Sequence, residues 1–144
     1  MVNAPTMIEK QNVIQIKILI GARTHLNYYI KKNNYTYTKE FDKLRKEQNL
    51  AGHLRENSII MCQMIFTSDQ EFFNRIGEQE TKRYFDECYK FICNYKNLGE
   101  KNIISAVVHL DEGAPHLHLM FVPVVHIKDK DGKPIEKICA RDFW

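Results

Sequence analysis

Apolar positions along the chain fall into two rhythms. Runs of strand length occur at 12–20 (NVIQIKILI), 58–66 (SIIMCQMIF), 103–110 (IISAVVHL) and 116–125 (HLHLMFVPVV). The stretch RTHLNYYI, at 23–30, alternates aromatic and polar positions. Elsewhere the spacing is helical. Thr38 is placed to cap a helix through TKEFDKLRKEQNL, with Phe41, Leu44 and Leu50 as its thin apolar side. Ser68 or Asp69 opens a short helix in TSDQEFFNRI. The clearest helix runs from about Glu78 to Leu98, where Tyr84, Phe85, Cys88, Phe91, Ile92 and Tyr95 recur at three- and four-residue spacing, and Gly99 stops it. Two apolar runs joined by DEGAP predict a hairpin, and KDKDGKPIEK reads as an exposed loop. The mixture predicts an α+β fold, an antiparallel sheet with flanking helices.

Bulk composition narrows this only slightly. A chain of 144 residues with 44% hydrophobic and 27% charged residues has the make-up of one soluble domain. Its net charge of +3 is compatible with a phosphate-bearing partner without requiring one. No run approaches a membrane span, and MVNAPTMIEKQ does not have the form of a secretory signal. Cys62, Cys88, Cys93 and Cys139 form no C-x-x-C pair, so free thiols in a cytoplasmic protein are expected.

The chemistry concentrates in VHLDEGAPHLHLMFVPV, at 108–124. His116 and His118 are two apart and share one face of a strand. His109 ends the preceding strand, and the turn returns the chain beside it, so three imidazoles converge. Neutral imidazoles suit Zn, Mn, Fe, Ni or Cu, with a position left open for a substrate oxygen. Asp111 and Glu112 at the turn are placed to orient a histidine, neutralise an ion or move a proton. The competing reading is the polar, solvent-facing side of an ordinary hairpin. His25, His53 and His126 lack such company and read as surface or hydrogen-bonded structural residues.

A metal with an open site beside a basic, aromatic surface suits phosphoester chemistry. Arg23, Lys31, Lys32, Lys39, Lys43, Arg45 and Lys46 interleave with Tyr28, Tyr29, Tyr35 and Tyr37. That mixture fits backbone contact plus base stacking on single-stranded nucleic acid, or equally a solvated helix face beside packed tyrosines.

The string H-L-D-E-x-x-P-H-L-H, with Pro123 five residues on, resembles the metal motif of the plasmid mobilisation/plasmid recombination (Mob/Pre) relaxases. RTHLNY and IFTSDQEFF are similar to two further segments of that family, in the same order. The resemblance implies a histidine-hydrophobe-histidine relaxase fold that nicks one DNA strand at a plasmid origin of transfer. It implies His109, His116 and His118 as metal ligands, Glu112 as the acidic catalytic residue and Mn²⁺ or Mg²⁺ as the ion. It also implies DNA contacts from Arg23, Asn27, Tyr28, Lys31 and Lys32. Longer relatives carry a further helical region for dimerisation or membrane association.

The family's nucleophile lies in a histidine-bearing segment upstream of RTHLNY, to which nothing here corresponds, so the nucleophile is unknown. The expectation is an incomplete relaxase domain at 23–144 behind an atypical segment at 1–22, as a shifted reading frame near residue 21 would produce. Two competing functions remain open. One is a DNA-binding remnant or regulator without catalysis; the other is an unrelated three-histidine metalloenzyme acting on a small molecule.

Overall fold

The computed structural model describes residues 26–144. The strand expected at 12–20, Arg23 and His25 therefore lie outside the described residues. Four strands make one antiparallel sheet: β1 (Tyr28–Lys31), β2 (Cys62–Thr67), β3 (Ile103–His109) and β4 (His116–Phe121), in the order β1-β3-β4-β2. Helix α1 (Tyr37–Glu47) links β1 to β2, and the long α2 (Gln70–Asn94) links β2 to β3. A separate hairpin of β5 (Val124–Lys128) and β6 (Pro134–Ile138) precedes a terminal turn, α3 (Ala140–Phe143). This is the α+β arrangement expected.

One side of the sheet is packed and the other is open. Along β4, Leu117, Leu119 and Phe121 are buried while His116, His118 and Met120 alternate with them at half burial. Strict period-two alternation puts the leucines on one face and the histidines on the other. The leucine face joins Ala106 and Val108 of β3 and Phe85, Tyr89 and Ile92 of α2 in a single core.

Several local readings are corrected. The helix cap is Thr36, not Thr38: its hydroxyl accepts from Lys39 N–H, while Glu40 Oε1 accepts from the N–H groups of Asn34 and Tyr35 at 2.8 and 3.1 Å. Thr36 thereby satisfies one of the helix's orphan donors, and Glu40 ties the connector before the cap to the first turn. The run at 58–66 becomes a strand only from Cys62, and among the described residues it is an edge strand whose side chains alternate rather than bury continuously. Phe91 is 56% exposed because the buried stripe of α2 passes through Thr81, Phe85, Tyr89 and Ile92. Its ring instead sits edge-on to Phe66, 6.4 Å between centroids. The expected loop KDKDGKPIEK mostly folds as the β5–β6 turn and β6. Asp129 Oδ1 there accepts from the N–H of both Asp131 and Lys133 at 2.9 Å.

Asp69 does cap the short helix, accepting from Phe72 N–H at 2.7 Å. That helix runs into the long one through a break at Gly77, with φ 81° and ψ 176°. Only glycine occupies this region without strain, which is why two expected helices meet there in one element. Asn102 was not anticipated as core. It is fully buried, donates to Leu98 C=O at 2.7 Å and accepts from Gln48 at 2.9 Å. Its backbone carbonyl also accepts from Val122 N–H at 2.9 Å, tying the start of β3 to the end of β4.

Candidate metal centre

The β3–β4 register sets the three histidines side by side. His109 lies opposite His116, and Val107 lies opposite His118, so all three rings rise from the open face. Asn27 anchors this end of the hairpin, its side-chain carbonyl accepting from Leu110 N–H at 2.7 Å. Ring centroids are 5.2 Å apart for His109–His116 and 4.9 Å for both His109–His118 and His116–His118.

That triangle has the size a metal ion requires. With metal–nitrogen bonds of about 2.1 Å and a ring centre about 1.2 Å behind the nitrogen, centroids stand about 4.7 Å apart at right angles and about 5.4 Å apart at tetrahedral angles. The observed spacings of 4.9–5.2 Å fall between the two. As the side chains stand, no three His, Cys, Asp or Glu among the described residues are already gathered into a metal-holding set. Spacing is fixed by strand register; the aim of the nitrogens depends on side-chain torsions, which ligation sets.

Each Nδ1 faces a neighbour. His116 Nδ1 is 2.9 Å from the Ala114 carbonyl oxygen, His109 Nδ1 is 3.7 Å from Asp111 Oδ1, and His118 Nδ1 is 2.8 Å from the Gln63 carboxamide. A proton held on Nδ1 by an acceptor leaves the Nε2 lone pair for an ion. Of the two acids at the turn, Asp111 is the buried one, 8% exposed and turned toward His109, while Glu112 is exposed.

Burial, and secondarily the neighbouring His116 and His109, push the His118 pKa below its ordinary 6.5, with Glu112 opposing. His118 thus holds a proton less readily when folded than when unfolded. Stability from this group is present at and above about pH 7 and is lost as pH falls through 6.5 toward the lowered folded value. We expect the thermal midpoint of the metal-free chain to fall between about pH 8 and about pH 6, and to fall less in His118→Asn.

Comparison with known proteins places this arrangement. The model of the plasmid recombination enzyme (Mob_Pre) family matches residues 9–144. The chain belongs to the plasmid recombination enzyme family. A plasmid recombination enzyme of Lactiplantibacillus plantarum is 33% identical over 116 residues, which are 79% of this chain and 32% of that protein. One from Streptococcus agalactiae is 32% identical over 105 residues, 71% of this chain and 21% of that protein. The chain thus spans a third or less of these relatives. Among solved structures, a Mn-bound MobM relaxase domain on plasmid pMV158 oriT DNA superposes with a TM-score of 0.70 at 28% identity, covering 86% of this chain and 61% of that one. A second MobM complex, with 26-nucleotide oriT DNA, gives 0.63 at 27% identity, covering 90% and 70%. The histidine-hydrophobe-histidine relaxase fold expected from the motif is therefore shown.

Within this family member, the residues expected to contact DNA occupy different environments. Tyr28 turns inward and, with Phe73, Gly77, Leu110 and Pro115, lines a cavity of about 760 Å³; burial and Asp86 push its phenol up to about 12. Lys31 Nζ donates to the Glu100 carbonyl at 2.7 Å, and burial lowers its pKa. Lys32 is exposed and sits 5.4 Å above the Tyr29 ring. Tyr29, 53% exposed, lies opposite Val107 and so shares the open face with His118. The other two described histidines are apart from the cluster: His53 is exposed, and His126 Nε2 bonds the Asn97 carbonyl at 2.7 Å. No helix among the described residues is long and apolar enough to cross a membrane.

Proposed function

We propose that this chain supplies the metal-bearing face of a relaxase centre that cuts one strand of plasmid DNA at an origin of transfer. The carrying observation is the metal-sized triangle of His109, His116 and His118 on the open side of the sheet. These three side chains would hold Mn²⁺ or Mg²⁺. Two features support the choice of ion and partner: the MobM structures are of relaxase domains on oriT DNA, and the complex with plasmid pMV158 oriT DNA is Mn-bound. Once bound, such an ion polarises phosphate oxygens and offsets charge in the transition state.

The protein groups have separable tasks. The Ala114 carbonyl orients His116 through its Nδ1 atom, and the Asp111 carboxylate, 3.7 Å from His109 Nδ1, acts on that ring by charge. Glu112, exposed at the turn and close enough to act on His118 electrostatically, is placed to take a proton from an attacking group. Tyr29 and Lys32 offer a stacking ring and a cation at the edge of the same face. The nucleophile of the cut is not assigned to any residue.

The test uses single-stranded and supercoiled DNA carrying the cognate origin, with the chain and His116→Ala. We expect origin DNA to bind more tightly with Mn²⁺ than with chelator, and His116→Ala to lose that difference. Binding that ignores both metal and substitution would contradict the proposal. A nick by the parent chain would show that it carries its own nucleophile; Mn²⁺-dependent binding without a nick would identify the DNA-binding module that does not cut.

A further inference from the structure

We propose that Gln63 is a positioning residue whose carboxamide selects which nitrogen of His118 faces the metal centre. The inference rests on the three-histidine metal reading and adds a residue to it. Gln63 sits on the edge strand β2, opposite Met120, while Ile65 lies opposite His118. Gln63 is thus the diagonal cross-strand neighbour of His118 on the open face, within reach of a long side chain. Its carboxamide lies 2.8 Å from His118 Nδ1.

The contrast with the other two histidines gives this contact its meaning. His116 Nδ1 faces a backbone carbonyl and His109 Nδ1 faces a carboxylate, and both partners can only accept. The Ala114 carbonyl, within hydrogen-bond range, demands Nδ1–H on His116, and the Asp111 carboxylate, 3.7 Å from His109 Nδ1, favours the same tautomer by charge; both leave Nε2 as the lone-pair nitrogen. Gln63 alone can play either role. With its NH₂ toward the ring, as it stands, Nδ1 accepts and Nε2 carries the proton, so Nε2 is unable to ligate. Turned over about its last torsion, the amide oxygen accepts Nδ1–H, and Nε2 becomes a ligand matching those of His109 and His116. The ion and the Gln63 amide therefore switch together. An exposed side chain on an edge strand makes this exchange without moving the core.

The experiment compares the full chain with Gln63→Met, which removes both roles, and Gln63→Glu, which can only accept. Mn²⁺ affinity is read by electron paramagnetic resonance titration, the His118 tautomer of the metal-free chain by long-range proton–nitrogen correlation at about pH 8, and folding by thermal melting. We expect Gln63→Met to bind Mn²⁺ about tenfold more weakly at an unchanged melting temperature, and Gln63→Glu to restore binding. We also expect His118 to carry its proton on Nε2 in the parent and on Nδ1 in Gln63→Glu. Mn²⁺ affinity in Gln63→Met within about twofold of the parent, or one tautomer in all three proteins, overturns the proposal. Should the parent bind no Mn²⁺, the metal reading fails, and the tautomer pattern by itself decides whether Gln63 selects the nitrogen.

Discussion

His116→Ala is expected to weaken Mn²⁺ binding by more than about a hundredfold. Loss of a residue that only orients a ligand typically costs ten- to hundredfold, so removing one of three direct ligands must exceed that range. The substitution leaves the fold largely alone, because His116 is half-buried on the open face and its strand neighbours Leu117 and Leu119 carry the core contacts. Isothermal titration with Mn²⁺ measures the effect. His126→Ala is the matched control: that imidazole is committed to the Asn97 carbonyl, away from the cluster, and should bind as the parent does. A loss of less than about tenfold in His116→Ala would remove His116 from the ligand set.

The other large effect is on stability. Phe121→Ala should lower the unfolding free energy by about 3–5 kcal/mol, read from urea denaturation. Phe121 is fully buried at the end of β4, opposite Cys62 on one side and Ile103 on the other. Its ring packs 5.2 Å from Phe143 and 6.1 Å from Trp144, so truncation opens a cavity between the sheet and the C-terminal turn. Against a typical margin of about 5–15 kcal/mol, such a loss leaves a substantial unfolded fraction in a weakly stable domain. Met120, one residue earlier and on the open face, provides the contrast: Met120→Ala should cost far less. Equal losses at the two positions would mean that the faces of β4 are assigned the wrong way round.

The hairpin was legible because its information is local. H-x-H on a strand, a short Gly/Pro turn and a histidine just before it specify which rings meet, and the register did the rest. The Asp69 cap was legible for the same reason, being a short-range signal; the helix end expected at Gly99 was not, because α2 stops at Asn94 and the backbone turns to positive φ at Lys96 and Asn97 before Gly99 is reached. Non-local packing was not legible. Spacing alone could not say whether the buried stripe of α2 passes through Phe91 or Tyr89, because that depends on where the sheet lies against the helix. Gln63 gave no signal: in the sequence it is one polar position in an apolar run, and only the β2–β4 register brings it to His118. Asn102 gave no signal either, since a buried amide is recognisable only once Leu98, Gln48 and Val122 surround it.

The central claim is that His109, His116 and His118 together bind one divalent ion. Pulsed electron paramagnetic resonance of Mn²⁺ bound to the chain tests it directly, because imidazole nitrogens bonded to the ion modulate the electron spin echo. We predict one Mn²⁺ per chain with coupling to three imidazole nitrogens, reduced by one in each single His→Ala variant. Bound Mn²⁺ without nitrogen coupling, or with coupling that survives replacement of all three histidines, would contradict it.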